Sequence, residues 1–168
     1  VEAKKVSESR TIKTCLILPN NANYHGTIFG GHVLSYVDEV ASITAMRHCR
    51  KPVVTASIDS FDFLAPAKVS NALCLEAFVA STGRTSIEVI VKVSSENLMT
   101  GESALTGVSF LTFVGLDENG KPTPVPPVIP ETEEEIRLFN SASERHKLRK
   151  DRKFEVKEFI RQYQMDRR

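Results

Sequence analysis

The segment NANYHGTIFGGHVLSYVDEV (21–40) contains three features that could do chemistry: the side-chain amide of Asn23, the adjacent glycines Gly30 and Gly31, and the carboxylate of Asp38. Asp38 falls at the shoulder of an apolar helical arc, beside Leu34, Ala41 and Ala45, and Glu39 lies a further ~100° round towards the polar side. A carboxylate at such a shoulder is costly to bury unless it is paired or hydrogen-bonded. It is either a rim residue reaching water, or an acid/base or nucleophile tuned by partial burial. Two glycines ahead of a helix cost conformational entropy. They fit close packing of helix on sheet, or a helix start whose orphan N–H groups stay uncovered for an anion or a developing oxyanion. Asn20, Asn21 and Asn23 suit a turn. One of their amides could also orient a water or polarise a carbonyl.

Other chemistries find little support. The chain has no GxSxG elbow, no GxxxxGK[ST] and no GxGxxG, so no nucleotide triphosphate or dinucleotide is implied. Cys15, Cys49 and Cys74 form no CxxC and read as reduced thiols. His25, His32, His48 and His146 show no HxxxH or HExxH spacing, and no metal is expected. TGRTS (82–86) offers a turn glycine, Arg84 and two hydroxyls that could hold phosphate oxygens. It reads equally as an ordinary hairpin with a surface arginine.

The elements that must carry these groups follow from periodicity. RTIKTCLILP is a strand closed by Pro19, and NNANYHG is a turn. From Phe29 to about His48 the pattern is helical, with Val33, Val37, Val40, Ala41 and Thr44 in one arc. Four period-2 runs follow, at 53–64, 72–81, 85–95 and 104–116. The first places Val54, Ala56 and Ile58 on one face and Thr55, Ser57 and Asp59 on the other, with a phase slip predicted near Ser60. Connections this short favour an antiparallel sheet with the helix on one face, an α+β architecture.

After DENGK the composition changes. PTPVPPVIP holds five of the eight prolines and should run extended. Thr132 and Glu135 form a capping box for a helix with Ile136 and Phe139 on its apolar side. RHKLRKDRK (145–153) carries six Lys/Arg against one Asp, and Val156, Phe159, Ile160 and Tyr163 follow at helical spacing. The expected organisation is a main domain over 1–116, a proline-rich strap over 117–130 and a helical, partly basic tail over 131–168. A net charge of +1 gives no global field for nucleic acid or membrane. No apolar run spans a bilayer and no signal core opens the chain, so a cytoplasmic protein is expected.

Taken together, LPNNANYHGTIFGGHVLSYVDEVA, VVTASIDSFDFLAP, STGRTSIEVIVKV and GKPTPVPPVIPETEEE resemble the hot-dog-fold acyl-CoA thioesterases, closest to their cytosolic acyl-CoA hydrolase branch, over roughly residues 10–140. The resemblance implies a hot-dog fold, with a curved antiparallel sheet of five or more strands wrapped around the long helix. It implies dimers that pair sheets edge to edge, assembled as trimers of dimers (hexamers). It implies hydrolysis of fatty acyl-CoA to fatty acid and CoA without a cofactor, since coenzyme A belongs to substrate and product. By the same carry-over, Asn23 of one subunit works with Asp38 of another, and Asp38 is general base or nucleophile. The N–H groups of Gly30 or Gly31 face the thioester carbonyl, and Gly83, Arg84, Thr85 and Ser86 contact CoA. The basic run 145–153 is a further candidate for the CoA phosphates. Two alternatives are a hot-dog 3-hydroxyacyl-thioester dehydratase, for which His25 and His32 stand near the acid, and a non-catalytic acyl-CoA sensor.

Overall fold

The period-2 runs pair with one another in one five-stranded antiparallel sheet, in a computed structural model that describes residues 2–167. The elements are β1 (Lys4–Lys5), β2 (Thr11–Leu16), α1 (Gly30–Cys49), β3 (Val53–Phe63), β4 (Ala72–Thr82), β5 (Ser86–Glu96), β6 (Ser103–Gly115), β7 (Val128–Ile129), α2 (Glu133–Asn140) and α3 (Ala142–Met165). The sheet order is β2-β4-β5-β6-β3, so β2 and β3 are its two edges. β1 and β7 form a separate parallel pair that periodicity did not reveal, each being only two residues long.

α1 lies along the inner face of the sheet. Its arc Val33, Val37, Val40, Ala41, Thr44 and Ala45 is buried, with His48 and Cys49 at its end. It meets Leu73, Leu75, Val89, Val91, Leu111 and Phe113 in one core. The helix stops at Arg50, which takes a left-handed conformation (φ 53°) and donates its N–H to the Met46 carbonyl. Among the described residues no helix is long and apolar enough to cross a membrane.

β3 departs from the simple alternation. Its register against β6 slips twice, between Thr55 and Ser57 and between Ile58 and Ser60. Each slip inserts one residue, Ala56 and then Asp59, and each insertion flips the side chains that follow. Thr55 stands opposite Phe113 and Ile58 opposite Leu111, both core residues, so Thr55 and Ile58 share the inner face. The grouping of Val54, Ala56 and Ile58 on one face is therefore corrected: strict period 2 holds only while no residue is inserted, and the slip starts earlier than Ser60.

The outer face is covered by the chain after β7. Thr132 caps α2 as expected: its Oγ1 accepts from the Glu135 N–H (3.2 Å) and Glu135 Oε2 accepts from the Thr132 N–H (2.8 Å). Glu134 pairs with Lys92 of β5, and buried Glu135 with Arg10. α3 follows almost at once. Arg145 and Arg149 both reach Glu88 of β5, Arg145 lies over the Phe110 ring of β6, and Arg152 reaches Asp59 of β3. α3 therefore runs across the strands towards the β3 edge, and three cations of the basic run are turned inward onto carboxylates.

Before α2 the proline-rich segment closes over the end of α1. The Val125 N–H donates to Arg84 O (3.0 Å), and His48 Nε2 donates to Pro126 O (2.7 Å). His48 is fully buried and its Nδ1 has no partner. Burial holds its imidazole below the ordinary value of 6.5, against a smaller opposing effect of the Pro126 carbonyl. Protonation would place an unpaired N–H in the core. The unfolded chain then takes up a proton below pH 6.5 that the folded chain refuses, so stability is full above that pH and falls on acidification until the folded pKa is passed. Urea unfolding should show this loss between pH 7.5 and 5.5 at up to about 1.4 kcal/mol per pH unit, and His48→Gln should remove that share of the slope. An unchanged slope in the variant would contradict the assignment.

Candidate functional site

The turn before α1 is held by Asn23. Its Oδ1 accepts from the His25 N–H (2.9 Å), the Thr27 N–H (3.3 Å) and the Thr27 hydroxyl (3.1 Å). The backbone closes the same turn, with Asn23 N–H donating to Thr27 O (2.8 Å) and Gly26 at φ 76°. Three accepted bonds fix the amide and leave Nδ2 as its available donor. Asn21 serves structure instead: its Oδ1 accepts from the Leu18 N–H and its carbonyl from the Phe29 N–H.

α1 begins without a side-chain cap at Phe29. The first intrahelical donors are the N–H groups of His32 and Val33, both to Phe29 O, and the N–H groups of Gly30 and Gly31 find no acceptor among the described hydrogen bonds. The glycines also permit close approach. A Cβ on Gly30 would lie 3.1 Å from the Phe63 ring of β3, and one on Gly31 would lie 2.8 Å from the Phe29 ring. The pair thus combines close approach of aromatic rings with N–H groups that no described hydrogen bond uses. Asn23, Gly30, Phe63, Leu64 and Thr106 line a groove of ≈ 460 Å³. It presents an amide donor and a helix N-terminus to whatever enters.

Asp38 is half-buried on the flank of α1 nearest β3, and its Oδ1 accepts from the Thr55 hydroxyl (2.9 Å). Glu39 points away and pairs with Lys13 of β2 (2.9 Å), as the helical projection predicts. The Thr55 bond uses one carboxylate oxygen and one rotamer, leaving Oδ2 for a water or a carbonyl. Asp38 does not line the Asn23 groove. Eight residues separate it from Gly30, about 12 Å along the helix axis. One thioester carbonyl cannot meet both within a single chain.

Thr55 escaped the sequence reading. Nothing in its spacing distinguishes it from the other hydroxyls of the run, and it meets Asp38 only because β3 returns along α1. His25 is exposed and lies against the Tyr24 ring at a tilt of 40° (4.0 Å), and His32 sits edge-on to Phe29 (6.1 Å). Among the described side-chain hydrogen bonds neither reaches Asp38, which removes geometric support for a His–Asp dehydratase pair in one chain. Among the described residues no cluster of His, Cys, Asp or Glu could hold a metal.

The TGRTS segment is a tight hairpin, with the Gly83 N–H donating to Ser86 O (2.9 Å). Arg84 O and Thr85 O are occupied by the N–H groups of Val125 and Gly115. The exposed Arg84 guanidinium takes part in no described ion pair or hydrogen bond. Beside the turn, Gly83, Ser86, Ser143, His146 and Arg149 line a cavity of ≈ 290 Å³.

With this geometry in view, residues 25–102 match the thioesterase superfamily. An uncharacterised acyl-CoA thioester hydrolase of Bacillus subtilis (strain 168) is 54% identical over 152 residues, 90% of this chain and 88% of the relative. An apo-hexameric acyl-CoA thioesterase superposes with a TM-score of 0.89 at 57% identity, covering 90% of this chain and 97% of its own. The Staphylococcus aureus acyl-CoA hydrolase in complex with butyryl coenzyme A, coenzyme A and coenzyme A disulfide superposes at 0.90 with 41% identity, covering 94% and 96%. Three solved variants of the S. aureus protein carry alanine at an Asn, an Asp and a Thr, separated by fifteen and seventeen positions. The same intervals separate Asn23, Asp38 and Thr55.

Proposed function

This chain belongs to the thioesterase superfamily, and from that premise we propose that it hydrolyses acyl-CoA to a carboxylic acid and free CoA at a site shared between two subunits. The observation that carries the shared site is the division of the chemistry within one chain. Asn23 and Gly30 line one groove, at the helix start where the Gly30 and Gly31 N–H groups have no acceptor among the described hydrogen bonds, and the Asp38–Thr55 pair lies about 12 Å along the helix from it. A second copy, joined in an isologous pair along the free β3 edge, brings the partner's Asn23 groove to Asp38. Trimers of such dimers belong to the same reading.

The thioester carbonyl lies against the N–H groups at the start of α1, whose dipole favours the oxyanion. Nδ2 of Asn23 donates to the carbonyl or to the water. Thr55 holds the Asp38 carboxylate in place. Asp38 either takes the water proton as its oxygen attacks the carbonyl carbon, or attacks directly to form an anhydride that water then opens. Collapse of the tetrahedral intermediate breaks the C–S bond and releases the CoA thiolate, which takes up a proton. Gly83, Arg84, Thr85 and Ser86 bind the CoA portion, and no cofactor is needed because coenzyme A enters with the substrate. The unpaired Cys15, Cys49 and Cys74 fit a cytoplasmic location.

Mixing subunits tests the shared site. Asn23→Ala and Asp38→Ala are each expected to be inactive alone. Reassembled together in equal amounts they should recover about a quarter of wild-type turnover, because half the dimers are mixed and each holds one intact site. No recovery, with mixed dimers verified by mass, would exclude a site built from two chains. For CoA recognition, Arg84→Ala should raise KM several-fold at low salt and less at high salt, with kcat little changed. A salt-independent KM would release Arg84 from that role.

A further inference from the structure

The outer half of α3 has no surface beneath it. Successive residues at ~100° put Arg145, Arg149 and Arg152 in one arc about 100° wide, and Val156, Phe159, Ile160 and Tyr163 fall in the same arc. The first three face the sheet and close on Glu88 and Asp59. The other four stand on the same side of the helix yet remain exposed, at 51, 68, 46 and 49%. The reason lies in the path of the helix. Arg152 already stands over β3, the last strand, and the thirteen residues from there to Met165 carry α3 about 20 Å further at ~1.5 Å per residue. With strands ~4.8 Å apart, that overhang spans the width of several more strands.

We infer that the Val156–Tyr163 face of α3 is an interaction surface for a second copy of this chain, and that it lies across the outer face of that copy's sheet where the two β3 edges meet. The inference rests on the proposed β3-edge dimer and adds the clamp that holds it. A sheet continued through β3 supplies the floor that the helix face lacks, and the two-fold axis makes the clamp reciprocal. The chemistry changes where the floor changes owner. On its own sheet α3 is fixed by arginine–carboxylate pairs, and beyond the edge it offers aliphatic and aromatic side chains, with Phe159 and Tyr163 stacked at 6.4 Å. The receiving surface includes Val54, an outer-face residue of β3 that is 48% exposed. Edge hydrogen bonds alone bury little side-chain area, and the reciprocal clamp supplies the apolar centre that a stable interface needs.

The triple variant Phe159→Ser/Ile160→Ser/Tyr163→Ser tests this, since none of these side chains touches the core or the proposed site. Sedimentation velocity over a dilution series should show dimer dissociation at a concentration at least tenfold higher than for the wild type, with unchanged far-ultraviolet circular dichroism. A benzophenone amino acid at position 159 should give an adduct of twice the chain mass on a denaturing gel, mapped to β3 or β6. Unchanged dissociation, an adduct within one chain, or an adduct on β2 would each overturn the inference. The association assay uses no substrate, so the functional reading fails separately: a wild type that self-associates through α3 but does not hydrolyse acyl-CoA would overturn that reading alone.

Discussion

Asp38→Ala should lower kcat for acyl-CoA hydrolysis by about 10²–10⁴-fold, the range for loss of a positioned general base, with KM nearly unchanged. Asp38 is half-buried on the flank of α1, outside its buried arc, so its removal leaves no core cavity and the variant should fold normally. Its one side-chain partner is the Thr55 hydroxyl, which the alanine variant leaves free to find water. The loss should therefore appear in turnover and not in the unfolding midpoint. Free-thiol release from a panel of acyl-CoAs measures it, and near wild-type turnover would remove Asp38 from the mechanism. Oxygen-18 and a hydroxylamine trap separate the two roles left to it. Label from water entering Asp38 in a single turnover marks a nucleophile; label confined to the product acid marks a base only where hydroxylamine also traps no acyl-Asp38, since an anhydride opened at the acyl carbonyl leaves Asp38 unlabelled. Thr55→Val should fall between wild type and Asp38→Ala, because it frees the carboxylate without removing it.

Glu88→Ala should destabilise the fold by about 3–5 kcal/mol, the cost of removing one member of a buried charge cluster. Glu88 is 2% exposed on the outer face of β5. Arg145 binds both of its oxygens (2.9 Å each) and Arg149 binds one (2.9 Å). The Ser81 hydroxyl donates to it as well (2.9 Å). Alanine would leave two guanidiniums, themselves only 18 and 13% exposed, against an apolar strand with no counter-charge. The result should read as a fall in the urea midpoint and as faster amide exchange across α3, with little change in α1. Glu88→Gln should recover part of the loss by keeping the hydrogen bonds. Stability within about 0.5 kcal/mol of wild type in the alanine variant would show α3 to be held by other contacts.

How much of this was legible in the sequence depended on whether local periodicity carried the information. The buried arc of α1, its separation of Asp38 from Glu39, and the Thr132–Glu135 cap were readable because each is set within a few turns of helix. The insertion at Asp59 was legible as the phase slip near Ser60, where Phe61 and Phe63 break the alternation; the one at Ala56 was not, since it depends on the partner strand and leaves the local alternation looking regular. Thr55 as partner to Asp38 failed for the same reason, being a contact across 17 residues with no pattern of its own. The basic run read as a candidate for the CoA phosphates because lysine and arginine give no sign of which carboxylates the fold sets opposite them. Its arginines turned inward to Glu88 and Asp59.

The two inserted residues of β3 also bear on what this chain avoids. An eleven-residue edge with regular pleating would present an unbroken row of unpaired N–H and C=O groups to any extended peptide. Ala56 and Asp59 break that row at two points and twist the strand between them. A stranger's strand, or a misregistered copy, meets mismatched donors within a few residues. Only a partner with the same two irregularities, met across a two-fold axis, can follow the edge along its length. In the proposed β3-edge dimer growth would end at the first addition, and an edge open to strand-by-strand aggregation would close on itself.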